Sequence, residues 1–313
     1  MPLDLHLAGV LKGLAAAGRK PTHECTVDEA RAGYFALTRG TLTAEQVVPV
    51  GSTEDITIPG GTSDVRARIY RPDHAKPVPT IVFFHGGGFV LGDLDTHDNM
   101  CREICRESDA VILSVEYRLA PEAPFPAAVA DAIIATDWAF ANLPELGGTD
   151  SIGVAGDSAG GNLAAVIAQR SASHGVKLAG QFLIYPALDT LDANYLSRSE
   201  NAKGYFLEME TMAWFVEKYA AEHKDLTDPM LAPIHAKSVA GVAPALIIAA
   251  EFDPLRDEAL VYGEKLMENG VVTELVRADG MIHAFFDMGR WSPAAQQLIT
   301  SSCQRFGELL RGA

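Results

Sequence analysis

Short apolar runs alternate with longer amphipathic segments along most of this sequence. The runs are too short for helices, and turn residues or charges end them, which is typical of strands buried on both faces of a sheet. We predict eight strands, at residues 54–60, 65–72, 80–89, 110–118, 151–156, 180–186, 243–253 and 271–278. Helices are predicted among them, at residues 101–108, 127–143, 161–175, 257–270 and 293–310.

Strands that alternate with helices predict an α/β fold, in which helices cover both faces of a mostly parallel central sheet. Two segments fall outside this alternation: residues 1–45, and an acidic and aromatic insertion at residues 188–232. The rest of the chain, residues 46–187 and 233–313, is the predicted main domain.

Both irregular segments contain apolar residues at helical spacing. The sets are Leu3, Leu7, Val10, Leu11 and Leu14 in the first segment, and Met212, Phe215, Val216 and Tyr219 in the insertion. The helix of the insertion either packs onto the main domain or also roofs a pocket, and the pattern leaves both interpretations open.

The charge of the chain excludes some classes of partner. Its 313 residues include 41 acidic and 25 basic side chains, so the formal net charge is −16. A surface of this sign repels phosphate backbones and anionic lipids, and we expect no nucleic-acid partner. No apolar run approaches the roughly 18 residues of a membrane-spanning helix, so no stable membrane insertion is expected. The N-terminus lacks a basic leader and carries Asp4, which favours a cytoplasmic protein.

The four cysteines do not form a disulfide framework. Cys101 and Cys105 are four residues apart and could share a metal ion, but no cluster of histidines and cysteines completes such a site. We therefore expect buried or partly buried thiols, no metal ion and no organic cofactor.

One serine stands among small residues in the stretch Gly156-Asp157-Ser158-Ala159-Gly160, after a predicted strand and before a predicted helix. Small neighbours let the strand and helix backbones approach at a sharp turn that exposes the hydroxyl. The Ala159 N–H begins the helix, where backbone donors favour negative charge. The stretch indicates a tight structural turn or a nucleophile, and its position favours the nucleophile. Asp157 either bonds nearby loops or stays solvated.

Three glycines, Gly86, Gly87 and Gly88, follow His85 at the end of another predicted strand. They leave the backbone open to a substrate, and an oxyanion is stabilised by preorganised N–H donors. The alternative is a flexible turn. Because His85 precedes the serine and ends a different strand, we interpret it as an organiser of the loop and not as a base.

A serine nucleophile needs a base. His283 directly follows a predicted strand, so it reaches the carboxyl edge of the sheet, where ligands bind in such folds. The other histidines after the serine end its helix or lie in or just after the insertion: His174, His223 and His235. His283 is therefore the predicted base.

The base in turn needs an acid that orients it. Asp253 ends a predicted strand and so lies at the same edge of the sheet. Glu251 is a minor candidate within that strand, and Asp257 and Glu258 compete from the following helix. The position at the strand end favours Asp253.

Several motifs, in this order, resemble those of the hormone-sensitive-lipase-like esterases, bacterial family IV of the α/β-hydrolases. They are HGGGFVLGDLDTHD, EYRLAPEAPFPAA, GDSAGGNLAA, DPLRDEA and IHAF, and they span roughly residues 80–290. The resemblance implies the α/β-hydrolase fold, with Ser158 as nucleophile, His283 as base and Asp253 as acid. It implies an oxyanion hole made by the glycines at 86–88 and by Ala159. It also implies that residues 1–45 and 188–232 together form a helical cap over the acyl pocket.

The resemblance implies a serine carboxylesterase that cleaves short- to medium-chain esters through an acyl-enzyme. An amidase or acyl-peptide hydrolase of the same fold is the alternative, and a non-catalytic small-molecule receptor is disfavoured because His283 is present. A small-molecule ester is the expected partner, and a homodimer is a candidate assembly. The residues expected to wall the pocket are Phe89, Tyr185, Tyr205, Phe206, Met209 and Trp214.

Overall fold

A computed structural model of the protein describes residues 1–60, 63–220 and 223–312, so residues 61–62, 221–222 and 313 of the predicted domains lie outside that description. In the described part, eight strands follow one another as β1 (Ser52–Ile58), β2 (Val65–Arg71), β3 (Val78–Phe84), β4 (Val111–Glu116), β5 (Gly148–Asp157), β6 (Gly180–Ile184), β7 (Ala245–Phe252) and β8 (Thr273–Ile282). The α-helices are α1 (Leu5–Ala16), α2 (Val27–Thr38), α3 (Asp98–Ser108), α4 (Ala127–Ala141), α5 (Leu143–Leu146), α6 (Ala159–Ser173), α7 (Leu196–Glu200), α8 (Met209–Ala220), α9 (Arg256–Glu268) and α10 (Pro293–Arg311).

The strands form one sheet in the order β1-β2-β4-β3-β5-β6-β7-β8. In the described sheet β2 pairs antiparallel with β1 and with β4, and every pair from β4 to β8 is parallel. From β3, the next strand in sequence, β4, lies on one side and the following strands, β5 to β8, lie on the other side, so the direction of winding reverses at β3. Ligands of open α/β sheets bind at the carboxyl edge beside such a reversal.

Each face of the sheet carries its own apolar core. The side chains of β3 are all buried, because this strand lies in the middle of the sheet between two helical layers. One core includes apolar side chains of α4, α6 and α9, and the other includes those of α3 and α10. The predicted α/β-hydrolase architecture is therefore confirmed.

All eight predicted strands and the five predicted helices are present, with ends that differ by a few residues. The helix of the insertion is also present as α8, whereas α2, α5 and α7 were not predicted. In α1, only Leu7 of the expected apolar face is fully buried. The division into a main domain and a cap stays a prediction.

The two segments of the predicted cap, residues 1–45 and 188–232, contact each other. A short 3₁₀ turn at Thr22–Glu24 packs against α8, and His23 Nδ1 lies 3.3 Å from Thr211 Oγ1. The N-terminal segment is also anchored to the main domain, because Arg31 donates from Nε to the carbonyl oxygen of Val90 at 2.9 Å. Within the described residues, no helix has the length and apolar content to cross a membrane.

The four cysteines are free thiols. Cys101, Cys105 and Cys303 are buried and Cys25 is half-buried. The described part of the chain holds no group of three His, Cys, Asp or Glu side chains arranged for a metal ion.

Candidate active site

Ser158 lies at the turn between β5 and α6, with backbone angles φ 53° and ψ −116°. A serine seldom has a positive φ, and the surrounding backbone holds it there. Its N–H donates to the carbonyl oxygen of Ile184 at 2.9 Å. A Cβ at Gly160 would collide with the carbonyl oxygen of Phe84, which explains why glycine is needed beside the serine.

Two other predicted residues meet this serine. His283 follows β8, and its Nε2 lies 3.0 Å from Ser158 Oγ. Asp253 follows β7, and its Oδ2 lies 2.6 Å from His283 Nδ1. Asp253 is fully buried, and its other carboxylate oxygen accepts the Leu255 N–H at 2.9 Å. The structure thus brings together a hydroxyl, an imidazole and a carboxylate in the order that proton transfer from serine requires.

The competing carboxylates are occupied elsewhere. Glu251 accepts the Gly280 N–H at 2.7 Å. Asp257 accepts the Ser197 N–H at 2.8 Å. Glu258 is paired with Arg198 at 2.5 Å. Of the four candidate acids, Asp253 contacts His283.

The remaining histidines also lie away from the serine. His174 bonds the carbonyl oxygen of Arg170 in its own helix, at 2.9 Å. His223 lies 3.3 Å from Asp228, and His235 lies 2.7 Å from Asp189.

The first of the three glycines cannot serve as an oxyanion donor in this conformation. The Gly86 N–H donates to Asp157 Oδ1 at 2.8 Å, so it is not free for a substrate. This contact also answers the question about Asp157: its side chain is 5% exposed and holds the glycine loop instead of facing solvent. The expected oxyanion hole is therefore corrected by leaving Gly86 out.

The second glycine is oriented by His85. His85 Nδ1 lies 2.8 Å from the carbonyl oxygen of Gly86. Because C=O and N–H point in opposite directions across a trans peptide, this contact turns the Gly87 N–H away from His85. Burial and the neighbouring His97 lower the pKa of His85 to about 4, so the ring is neutral. His85 is the loop organiser that its position predicted.

Three N–H groups around the serine lack an acceptor within the described residues: those of Gly87, Gly88 and Ala159. Gly87 and Gly88 have φ values of 113° and 62°, which glycine adopts at little cost. Ala159 is the first residue of α6, so its N–H has no intrahelical partner. These donors line the same cavity as Ser158 and His283.

That cavity has a volume of about 640 Å³ and is mostly apolar. The main domain supplies the serine, the histidine and the glycines, and both cap segments supply wall residues. The cap residues include Leu11, Leu14, Tyr34 and Leu37 from the N-terminal segment, and Phe206, Leu207, Met212, Phe215, Val216 and Tyr219 from the insertion. Both interpretations of the α8 pattern therefore apply, since this helix packs onto the main domain and lines the cavity.

Helix α8 is seated directly on the glycine loop. The rings of Tyr219 and Phe89 are stacked, with centroids 3.7 Å apart and planes 7° apart. A Cβ at Gly88 would collide with the ring of Phe215, so this ring covers the third glycine. The backbone of α8 is fixed as well, because the Phe125 N–H donates to the carbonyl oxygen of Tyr219 at 2.9 Å.

Of the six residues expected to wall the pocket, Phe89 and Phe206 line the cavity and the other four do not. Tyr185 is buried beneath the site and packs on His283, with ring centroids 4.8 Å apart. Tyr205 packs on the ring of Phe252. Met209 packs on the cluster of Leu207, Met212 and Leu255, Trp214 packs edge-on against Phe215, and neither lines the cavity. Composition identified apolar side chains in the insertion but not the face of the helix that each one occupies.

Sequence reasoning missed two residues beside the site, Tyr34 and His97. Tyr34 lines the cavity, and its hydroxyl lies 3.4 Å from His97 Nε2. His97 is fully buried and lies 3.5 Å from Asp157. The available signal was its place in the DLDTHD stretch, directly after the glycine loop.

The sheet order, the serine turn and the assembled triad define a hydrolase-type site on an α/β scaffold. The chain belongs to the alpha/beta hydrolase fold family, whose model matches residues 81–287. This finding confirms the resemblance to the hormone-sensitive-lipase-like family.

The chain is similar to named esterases over most of its length. It is 42% identical to esterase LipI of Mycobacterium tuberculosis over 87% of this chain and 86% of the relative. It is 34% identical to an ethyl acetate hydrolase of Pseudomonas putida over 92% of this chain and 93% of the relative. Among solved structures, a hyperthermophilic esterase from the archaeon Pyrobaculum calidifontis has a TM-score of 0.92 at 39% identity, covering 98% of this chain and 99% of that one.

Proposed function

We propose that the protein is a serine carboxylesterase that hydrolyses neutral esters with short to medium acyl chains. The observation that carries the proposal is the contact of Ser158, His283 and Asp253 at 3.0 and 2.6 Å, in a cavity that also contains free backbone donors. The names of the similar proteins, an esterase and an ethyl acetate hydrolase, support the same substrate class.

In the proposed mechanism, Ser158 Oγ attacks the ester carbonyl while His283 Nε2 accepts its proton. Asp253 holds the imidazole in the tautomer with a proton on Nδ1 and stabilises its charged form. The N–H groups of Gly87, Gly88 and Ala159 stabilise the oxyanion, and each such donor contributes roughly 3 kcal/mol. His283 then protonates the departing alcohol. Water attacks the acyl-enzyme, with His283 again as the base.

The cavity supports the proposed substrate size. Its volume of about 640 Å³ accommodates both sides of a small ester, and its wall is mostly apolar. Helix α8 covers the glycine loop and so closes the site above the position of the ester carbonyl. A long polypeptide needs an open cleft on both sides of the scissile bond, and this closure disfavours it. The amidase alternative keeps the same triad and differs in the leaving group, because an amine departs only after its nitrogen is protonated.

The test compares p-nitrophenyl butyrate with the matching butyryl anilide. We expect ready hydrolysis of the ester and a kcat/KM lower by at least ~10³ for the anilide, equivalent to roughly 4 kcal/mol in the barrier. Ser158→Ala should remove ester turnover while the circular dichroism spectrum stays unchanged, and an organophosphonate should label Ser158 in the wild-type protein alone. Equal kcat/KM values for ester and anilide would replace the esterase proposal with the amidase.

The cellular place and assembly also remain proposals. Four free thiols are expected of a protein that works in the reducing cytoplasm, which supports that location. A homodimer is the proposed assembly, and sedimentation of the purified protein at several concentrations tests it.

A further inference from the structure

The carboxylate of Asp157 lies between the glycine loop and a second buried histidine. Its Oδ1 accepts the Gly86 N–H at 2.8 Å and lies 3.5 Å from His97 Nε2. A Cβ at Gly86 would collide with the same carboxylate, so the side chain packs tightly on the loop backbone. The position of Asp157 therefore sets the position of Gly86.

His97 is held firmly enough to place that carboxylate. The side chain is fully buried, and its Nδ1 lies 3.1 Å from Thr96 Oγ1. The residue caps the N-terminus of α3, and its carbonyl oxygen accepts the Cys101 N–H at 2.9 Å. Tyr34 contacts the same Nε2 from the cap. The ring is thus fixed by the main domain and touched by the cap.

The electrostatics of this pair favour an ionic contact. Burial is the largest single influence and lowers the pKa of His97, but the contact with Asp157 and the other negative charges around the ring together outweigh it, so the net pKa is raised. Asp287 and Asp93 add to the negative potential around the ring. A buried carboxylate that loses its partner is strongly destabilised, and it relaxes toward other donors.

Given the proposed esterase function, we infer that His97 is a positioning residue of the oxyanion hole. It holds the Asp157 carboxylate on the Gly86 N–H, and Asp157 in turn fixes the loop whose next two N–H groups, of Gly87 and Gly88, receive the oxyanion. His97 touches neither the substrate nor the serine, so it acts only through this loop.

This role makes a prediction that a merely structural role does not. Oxyanion donors bind the negative oxygen of the tetrahedral intermediate much better than the neutral carbonyl of the substrate. Loss of His97 should therefore weaken the binding of a transition-state analogue and lower kcat, while ground-state binding stays nearly constant.

The experiment uses two ketones of the same chain length. A trifluoromethyl ketone adds to Ser158 and places an oxyanion on the donors, whereas the matching methyl ketone serves as the ground-state probe. The full-length variants are His97→Leu, which removes the contact to Asp157, and His97→Gln, which keeps an N–H donor near the Nε2 position. His74→Leu is the matched control, because His74 also pairs with an aspartate, Asp109, at 2.7 Å but on the exposed surface.

For His97→Leu we expect kcat/KM for p-nitrophenyl butyrate to fall ~10- to 100-fold, as displaced donors do, with KM nearly unchanged. The Ki of the trifluoromethyl ketone should rise by the same factor, and the Ki of the methyl ketone should stay constant. His97→Gln should recover part of the loss, and His74→Leu should match the wild type.

The ratio of the two Ki values decides the outcome. The proposed role of His97 is overturned if this ratio differs by less than about threefold between His97→Leu and the wild type, a difference below 1 kcal/mol. An equal weakening of both ketones leaves the ratio unchanged and overturns it as well. If His97→Leu does not fold, the same ratio measured on His97→Asn decides, because the shorter amide does not reach the Nε2 position that contacts Asp157. Failure of the wild-type protein to hydrolyse the ester and to bind the trifluoromethyl ketone would reject the esterase proposal itself, which separates the two failures.

Discussion

Ser158 has a strained backbone conformation, and the surrounding backbone holds it there. The left-handed φ of 53° points the hydroxyl out of the turn, toward His283. The glycine after Ala159 removes the clash that this turn would create. Strained backbone of this kind persists where the neighbouring structure determines it, and it is common at active sites.

A comparison of two aspartate variants, at Asp253 and Asp257, tests which carboxylate orients His283. Asp253→Asn should leave the fold intact but favour the wrong tautomer of His283, and kcat should fall on the order of 10⁴-fold if other serine triads are a guide. Asp257→Asn is the matched control, because Asp257 binds the Ser197 N–H and lies away from the histidine. Both variants are measured with p-nitrophenyl butyrate.

A large loss in Asp257→Asn, together with near-normal kcat in Asp253→Asn, would move the acid into α9 and contradict this placement.

At the scale of elements, a buried ion pair ties the insertion to α9. Glu258 is fully buried and accepts the N–H of Leu188 at 2.6 Å as well as the guanidinium of Arg198 at 2.5 Å. Arg198 also donates to the carbonyl oxygen of Thr190. One carboxylate therefore organises the loop that leaves β6 and enters the cap.

Removing one partner of this pair should be costly. Arg198→Met should lower the free energy of unfolding by ~3–5 kcal/mol at pH 8, because it leaves a buried charge unpaired. Arg170→Met removes an exposed pair with Asp137 and should cost under about 1 kcal/mol. Urea unfolding of both variants measures the difference.

The loss in Arg198→Met should also depend on pH. Burial raises the pKa of Glu258 to about 7 from an ordinary 4.5, although Arg198 opposes the rise. The folded state then binds the proton more tightly than the unfolded state, so stability falls as pH rises from about 4.5 through about 7. The variant should therefore be relatively more stable at pH 5 than at pH 8, and a loss independent of pH would show that the charge of Glu258 is not its cause.

The elements that could be predicted are those whose burial leaves a local pattern. Strands such as β3 and β7 are continuous apolar runs because both faces of the sheet are covered. Helix α2 has a weaker apolar pattern, since Ala30 is its only buried residue, and the capping box that begins it at Thr26 leaves no apolar periodicity.

The residues of the candidate site also fall into two groups, those that a local sequence pattern predicts and those that it does not. Ser158, Asp253 and His283 each follow a strand, so the fold brings their positions to one edge and the sequence could predict the triad. The contact of Tyr34 with His97 joins residues 63 positions apart, and no periodicity reports it. The sequence also could not predict that the Gly86 N–H is unavailable to a substrate, because this N–H donates to Asp157, which is 71 residues away.

At the scale of the whole molecule, the cavity is closed by two segments that are distant in sequence. Removing residues 1–40 deletes α1 and α2 and, with them, the wall residues Leu11, Leu14, Tyr34 and Leu37. We expect KM for p-nitrophenyl butyrate to rise roughly tenfold, equivalent to about 1.4 kcal/mol of lost binding. The exposed apolar surface should also promote aggregation, which light scattering detects.

Circular dichroism must first show that the shortened chain keeps its sheet. An unchanged KM in a folded, monodisperse truncation would mean that the N-terminal helices are not part of the substrate site.

The triad and much of the cavity wall come from different parts of the chain, and this has a consequence for how substrate preference can evolve. The groups proposed to move the proton all follow strands of the sheet, whereas much of the cavity wall comes from α1, α2 and α8. Substitutions on the inner face of these helices can therefore alter which ester fits without disturbing the chemistry. A library confined to Leu11, Leu14, Leu37 and Val216 should yield many active variants with new preferences, so the scaffold is a favourable starting point for directed evolution.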